Sequence, residues 1–340
     1  MRDDRLVLAF VGMHPDRRAG LVGTYGSAGA VVAAIRRGRV ELPAEARAAA
    51  SVDADARKAQ LAEAGITTLA LGDPDYPAHL GRLPGAPDVL FVKGVVPVVP
   101  GVAIVGTRRA TAYGRSLARR MGGAVSEFWP VVSGLARGID GEAHQGTLAA
   151  GGRGVAVLGC GIDRWYPAEH RPLGVRLIET GGAVISEYPP GVRPMGWRFP
   201  PRNRIISGLS AVVVVVEAAV PGGAMITARH ALDHGLQVFA VPGDIDRATS
   251  VGCNELIRDG AWPVLGVEDL VEAVGFTLGE SQKRRSPIDD PVLAGLGEAG
   301  STVDDLISRL GWSPADVLSH IGALELEGKV IRDQGRVVPR

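Results

Sequence analysis

Five consecutive valines, Val212 to Val216, constrain this chain more than any other feature. A strand with one wet face alternates apolar and polar residues, because successive side chains point to opposite sides. An unbroken β-branched run has no face to offer to water, so it belongs in the middle of a parallel sheet covered on both sides. Shorter apolar runs recur along the chain and predict strands at 102–106, 131–135, 155–159, 183–187, 211–217, 237–241 and 261–265. Helical stretches fall between them at about 113–127, 140–150, 168–180, 202–209, 223–234, 252–259 and 267–275. This alternation predicts an α/β fold with a doubly wound, mostly parallel, Rossmann-like sheet. Ligands of such sheets bind in the crevice outside the carboxyl ends of the strands.

The flanks differ. Residues 1–68 read as a small helical domain, with Gly20-Leu21-Val22-Gly23-Thr24-Tyr25-Gly26-Ser27 ahead of an Ala/Val-rich helix and a second Ala-rich helix from about Ala44 to Ala64. Short helices around glycine turns suit a SAM or helix-hairpin-helix-like nucleic-acid module, or a plain docking domain; the second reading is favoured. Residues 69–275 comprise a connector, dense in Pro74, Pro77, Pro84, Pro87, Pro97 and Pro100, and then the sheet domain. Val89 to Gly94 is a short strand within that connector. Residues 276–290 are polar and read as a linker, and 291–340 as a compact unit. Thr302 and Ser313-Pro314 start helices at about 303–310 and 314–327, and a hairpin runs from Lys329 to Val338, the pattern of a winged helix.

At 340 residues the chain is too long for one small domain, and 46% hydrophobic with 22% charged residues provides a real core. No apolar run reaches membrane-spanning length and the N-terminus lacks a signal-peptide pattern, so a cytoplasmic protein with no membrane association is expected. Cys160 and Cys253, the two cysteines, read as buried thiols in a reducing compartment. Net charge is zero, yet residues 101–210 carry 14 arginines against 7 acidic residues, while 211–275 carry 3 basic and 9 acidic residues. A basic block inside a neutral chain predicts a local polyanion site.

The loops after the first strands supply that site. Gly106-Thr107-Arg108-Arg109 is neither a dinucleotide fingerprint nor a P-loop, so no cofactor is expected. Arginine holds phosphate oxygens bidentately, which favours Arg108 as a phosphate ligand, with Arg109 evenly balanced between that role and a plain surface position. In Ser133-Gly134-Leu135-Ala136-Arg137-Gly138-Ile139-Asp140, Ser133 offers a hydroxyl, Gly134 and Gly138 permit close backbone approach, and Arg137 adds charge. Asp140 reads as an ordinary helix N-cap, and His144 receives no chemical role. Arg198, Phe199, Arg202, Asn203 and Arg204, with Arg193 and Trp197 upstream, combine an aromatic ring with phosphate- and base-edge-binding groups. Gly222-Gly223 opens a helix at the same sheet edge, where Gly223 and Thr227 line the site or simply pack. Asp163, Glu187 and Glu217 are scattered, so neither a catalytic constellation nor a metal site is expected.

Together Ile104-Val105-Gly106-Thr107-Arg108, the Ser133 to Asp140 run, Ala156-Val157-Leu158-Gly159-Cys160-Gly161, Tyr166-Pro167, Phe199-Pro200-Pro201-Arg202-Asn203-Arg204 and Val241-Pro242-Gly243 resemble the DNA-processing protein A (DprA/Smf) family over roughly 69–275. The resemblance implies an extended Rossmann fold, commonly dimeric through that domain, with a helical N-terminal and a winged-helix C-terminal domain. It implies single-stranded DNA as ligand, protection of incoming strands in natural transformation, and loading of RecA recombinase. Arg108, the Ser133-Gly134 turn and the Phe199 to Arg204 cluster match the family's pocket. Gly222-Gly223 departs from the family's commoner Ser-Gly, and Arg193 or Arg198 stands where some members have Lys.

Two other readings compete with this non-enzymatic mediator. Pro221-Gly222-Gly223 echoes the nucleotide phosphoribohydrolases, Rossmann-like enzymes, but the helix after it, Ala224 to His230, lacks their catalytic Glu. A nucleotide-sensing module without strand binding is the third. The winged helix is expected to dock a partner or regulate rather than grip duplex, since Asp316, Glu325 and Glu327 outweigh basic residues on its second long helix.

Overall fold

The computed structural model describes residues 2–279, 291–296, 300–326, 329–333 and 335–339. The 280–290 part of the expected linker, Glu327 and the tip of the expected hairpin at Gln334 lie outside the described residues. Two compact units divide the chain between Gly279 and Glu280.

The first unit begins with five helices: α1 (Arg2–Phe10), α2 (Pro15–Tyr25), α3 (Ala28–Arg36), α4 (Ala44–Ser51) and α5 (Ala54–Glu63). The single helix expected from Ala44 to Ala64 is broken at Val52-Asp53, because the Asp53 carboxylate accepts from the Asp55 N–H and caps a new helix. Helix α1 has two apolar faces. Val7 and Leu8, with Val11 just past the helix end, pack with Val31, Val32 and Ile35 of α3, while Leu6 and Ala9 pack against the sheet.

The sheet follows, with β1 (Thr67–Ala70), α6 (Ala78–Gly81), β2 (Val89–Gly94), β3 (Gly101–Val105), α7 (Ala112–Ser126), β4 (Val131–Ser133), α8 (Ile139–Ala149) and β5 (Gly154–Leu158). It continues through α9 (Arg171–Glu179), β6 (Ala183–Ser186), α10 (Phe199–Gly208), β7 (Ser210–Val215), α11 (Gly223–Asp233), β8 (Gln237–Ala240), α12 (Val251–Arg258), β9 (Trp262–Pro263) and α13 (Val267–Thr277). The nine strands lie in the order β1-β2-β6-β5-β4-β3-β7-β8-β9. Strands β3 to β9 run parallel, and β1 and β2 add an antiparallel edge in which Thr67 pairs with Val92 and Phe91 with Ser186. The connector thus contributes the strand expected at Val89 to Gly94, and the new strand β1 reaches into its first residues. Its prolines fall between the strands, where the missing N–H costs no ladder bond.

The valine run explains the layering. Val212, Val214 and Val216 pack with Leu117 and Met121 of α7 and Leu270 of α13. Val213 and Val215 face the other way, toward Ile205 of α10, Ala228 of α11 and Cys253 of α12. All five are at most 1% exposed, and each contributes roughly 1.5–3 kcal/mol through burial. Because β3 is flanked by β4 on one side and β7 on the other, the chain reverses its winding there and the loops after these strands splay apart.

The second unit is small and has its own core. Helices α14 (Pro291–Gly295), α15 (Val303–Leu310) and α16 (Pro314–Leu326) pack around Val292, Leu306, Val317 and Ile321. Strands β10 (Ser301–Thr302), β11 (Val330–Asp333) and β12 (Arg336–Pro339) form an antiparallel sheet in the order β10-β12-β11. Thr302 and Asp305 make a reciprocal capping box at the start of α15.

Candidate nucleic-acid interface

The loops after β3, β4 and β7 are laced together by their own backbones. The Thr107 N–H donates to the Glu217 carbonyl at 2.7 Å, and the Ile139 N–H to the Thr107 carbonyl at 3.3 Å. Gly138 sits between with φ +73°, and a Cβ there would strike the Thr107 carbonyl. Gly134 is as tightly enclosed: a Cβ would lie 2.6 Å from the Arg202 guanidinium and 2.7 Å from the Asp140 carboxylate. These glycines let two loops and two side chains converge without steric conflict.

Above this floor lies a recess of about 250 Å³ lined by Arg108, Arg109, Gly134, Arg137, Tyr166 and Phe199, with Arg202 at its base. Phe199 is its centre. Tyr166 packs against the ring at 5.3 Å between centroids, and the Arg108 guanidinium lies 4.9 Å from the ring centroid. Arg109 is exposed, and no carboxylate pairs with it among the described residues. A larger groove of about 1220 Å³ continues past Gly106, Thr107 and Asn203 to Gly223 and Thr227 at the start of α11. No side chain caps that helix at Gly222, so its first amides face the groove with the positive end of the helix dipole.

The site residues expected from the sequence divide into two groups. Gly106, Thr107, Arg108, Arg109, Gly134, Arg137, Phe199, Arg202, Asn203, Gly223 and Thr227 line one or both cavities. Ser133, Gly138, Arg198 and Arg204 do not. The Ser133 hydroxyl is buried and donates to the Ile104 carbonyl at 2.7 Å, which leaves it no proton for a ligand. Gly138 acts through backbone geometry. Arg204 turns inward, donating to both oxygens of buried Glu187 at 2.9 and 3.0 Å. Arg198 lies over Trp197 and Tyr188 instead of over the recess.

Arg202 lines the recess, but its guanidinium is occupied. It donates to the Gly134 and Val157 carbonyls and to Asn203 Oδ1, tying the ends of β4 and β5 to α10. Burial pushes its pKa down to about 10, against the attraction of Asp140, so it stays charged at neutral pH. Asp140 is not the N-cap expected, since Gly138 holds that position. Its carboxylate accepts from the Gly134 N–H at 3.2 Å, and burial raises its pKa against the pull of Arg202. Arg137 is exposed and paired with Glu169 at 2.5 Å.

Tyr166 went unassigned in the sequence, although it stands in a Tyr-Pro step quoted with the other motifs. Its spacing says nothing of a ring brought beside Phe199. The scattered carboxylates have structural roles. Glu217 accepts from the Thr111 N–H at 2.9 Å and the Thr111 hydroxyl at 2.5 Å, and Asp163 accepts from the Gly191 N–H at 2.8 Å. Among the described residues no three His, Cys, Asp or Glu side chains form a metal cluster, and no helix is long and apolar enough to cross a membrane.

Residues 67–275 match the DNA recombination-mediator protein A family, and residues 278–336 match the DprA winged helix domain. The chain belongs to the DNA recombination-mediator protein A family. Protein Smf of Escherichia coli is 37% identical over 77% of this chain and 74% of its own length. The X-ray structure of DNA processing protein A from Streptococcus pneumoniae superposes with a TM-score of 0.65 at 31% identity, covering 80% of this chain and 97% of that one. DNA processing protein A from Helicobacter pylori, whose structure concerns its single-stranded DNA binding mode, superposes with a TM-score of 0.55 at 27% identity over 62% of this chain and 95% of that one. Family membership accounts for the extended Rossmann-like sheet and the winged helix, and it assigns the chain a DNA-processing role.

Proposed function

We propose that the crevice at the carboxyl edge of the sheet holds single-stranded DNA, and that the protein is a non-enzymatic recombination mediator. The single observation that carries the reading is the recess in which Phe199, backed by Tyr166 and Arg108, stands among exposed arginines. An aromatic ring gives any base a stacking face, and arginines hold the flanking phosphates. Duplex DNA keeps its bases stacked inside, so a half-buried ring lining a small recess selects single strands. Arg108 and Arg109 take phosphates at one end, and the open amides at Gly223 take one at the other. Gly106, Thr107, Gly134, Asn203 and Thr227 line the path between, and Arg137 joins when it releases Glu169. The relative from Helicobacter pylori binds single-stranded DNA, which supports the same ligand here.

In this reading the protein works in the cytoplasm. It protects incoming strands during transformation and loads RecA recombinase onto them, and a homodimer formed through the Rossmann domain joins two recesses into one longer path. Affinity then rises with strand length and falls with salt. The phosphoribohydrolase alternative loses ground because Arg202 and Asp140, the buried charged pair beside the recess, are held by backbone groups instead of being free to act on a sugar.

Titrating short single strands, duplex and free mononucleotides against the wild type, Arg108→Ala and Phe199→Ala tests this directly. Phe199→Ala is expected to weaken single-strand binding by ~1–3 kcal/mol. Arg108→Ala is expected to reduce the salt slope by ~0.7. Base release from a mononucleotide, or equal affinity for duplex and single strand, would refute the proposal. RecA loading is measured as faster filament growth on strands coated by single-strand binding protein.

A further inference from the structure

One face of α2 grips the segment that carries the recess. His14, the N-cap of α2, packs against Trp197 with ring centroids 5.3 Å apart and ring planes tilted by 33°. Trp197 carries the Arg198 guanidinium at 4.5 Å, and Arg198 lies 5.4 Å from the Tyr188 ring centroid. One turn along α2, Arg18 is buried and reaches two carboxylates at the end of the sheet. Its Nε lies 3.2 Å from Asp88, just before β2, and its Nη2 donates to Glu187, just after β6. Glu187 also accepts both bonds from Arg204 on α10. The run from Glu187 to Arg204 is therefore held by α2 directly at Glu187 and by its N-cap at Trp197, and at Arg204 only through Glu187; Phe199 and Arg202 lie within that run.

The energetics point to placement instead of stability. A buried ion-pair network recovers little net free energy, because desolvation offsets the Coulombic gain, and its geometric demands are strict. Glu187 shows the balance: burial would raise its carboxyl, and the two guanidiniums outweigh that and hold it below its ordinary value. Such a network tolerates one arrangement of α2, the sheet end and α10.

We propose that His14 and Arg18 are positioning residues for the strand-binding recess, so that the N-terminal helices set the pose of Phe199 through Trp197, Glu187 and Arg204. They touch no DNA themselves. The inference rests on the single-strand reading above and adds a function for the N-terminal helices: they hold the site instead of adding a second DNA contact. It also explains why Arg204, in a motif rich in phosphate-binding groups, faces away from the crevice.

The test is a double-mutant cycle on the full chain, with a single-stranded oligonucleotide as probe. Arg18→Met, Phe199→Ala and the double variant are titrated well below their denaturation midpoints. Arg18→Met is expected to weaken binding about fivefold to tenfold in the wild-type background and by less than about twofold once Phe199 is gone. Arg18→Lys, which keeps a cation facing Glu187 but not the guanidinium fork that spans Glu187 and Asp88, is expected to recover part of the loss. An unchanged dissociation constant for Arg18→Met, or an equal loss in both backgrounds, overturns the inference while leaving the strand-binding reading intact. A wild type that fails to bind the oligonucleotide overturns that reading, and the inference with it. If Arg18→Met does not fold, His14→Ala takes its place in the cycle with the same two outcomes, since it removes only a partly exposed ring contact.

Discussion

Residue type and residue role part company at the arginines. Arg108, Arg109, Arg137, Arg202 and Arg204 all lie in stretches that look suited to phosphate, yet Arg204 is bound to Glu187 and Arg202 to main-chain carbonyls. Only the exposed ones have donors to give. Arg137 is intermediate, because Glu169 already pairs with it. An exposed pair of this kind is weak, because solvent screens it, so a phosphate can displace the carboxylate. In the proposed reading Glu169 acts as a brake on strand binding. Glu169→Gln is expected to tighten single-strand binding by about twofold to fivefold at low salt and to steepen the salt dependence by ~0.7. Titrations at several salt concentrations check this, and an unchanged slope would show that Arg137 makes no phosphate contact.

Elements place these residues through a few backbone constraints. Helix α8 begins at Gly138, whose positive φ and lack of a side chain let the loop after β4 close over the loop after β3. It ends near Gly151, which has a similar φ of +71° and open space around it. The two glycines make a controlled comparison. Gly151→Ala meets the backbone penalty alone, ~1 kcal/mol, and is expected to leave binding intact. Gly138→Ala adds a collision with the Thr107 carbonyl and is expected to cost ~1–3 kcal/mol more and to abolish single-strand binding. Denaturation midpoints and strand titrations on both variants check the contrast. Helix α10 works differently: Pro200 and Pro201 sit in its first turn, where missing N–H groups cost nothing, and Phe199 opens it facing the recess.

The whole first unit carries a pH dependence of predictable sign. His144 is fully buried, and burial, aided by the charge of His170, lowers its pKa from 6.5 to about 3. The native state keeps the ring neutral, whereas the unfolded chain binds a proton below its ordinary pKa. Stability is therefore full above pH 6.5 and falls as pH drops toward the folded value, by up to ~1.4 kcal/mol per pH unit. His79 and His230 shift the same way through partial burial. At lower pH, Glu187, whose pKa is depressed, adds to the loss, while Asp140, whose pKa is raised, opposes it. The useful window is about pH 6 to 4.5, between the ordinary imidazole value and the folded value of His144, and comparison with a His144 variant cancels the carboxylates that both proteins share. Urea denaturation across that window is expected to show His144→Leu losing about one proton's worth of slope. A slope equal to that of the wild type would mean the ring is already charged in the fold.

Local pattern was enough for the sheet. The valine run, the alternation of strand and helix, and the loops at the carboxyl edge all depend on periodicity and turn chemistry, which a chain displays residue by residue. The antiparallel edge at Thr67–Ala70 was not legible, because four residues among prolines carry no distinctive period and the strand exists only by pairing with β2. Within the site, motifs identified which loops matter, and Arg108, Gly134 and Phe199 were visible there. Which side chains face the crevice was not visible, because that depends on partners far away in sequence. Glu187 claims Arg204, the Ile104 carbonyl claims the Ser133 hydroxyl, and Tyr166 reaches Phe199 across more than thirty residues. The sequence by itself determined the layered α/β architecture and pointed to the edge proposed for a ligand, since burial pattern and glycine placement are local properties. Only the tertiary structure decided which arginines remain exposed and that α2 contacts the segment carrying Phe199, since hydrogen bonds between distant elements are fixed by packing.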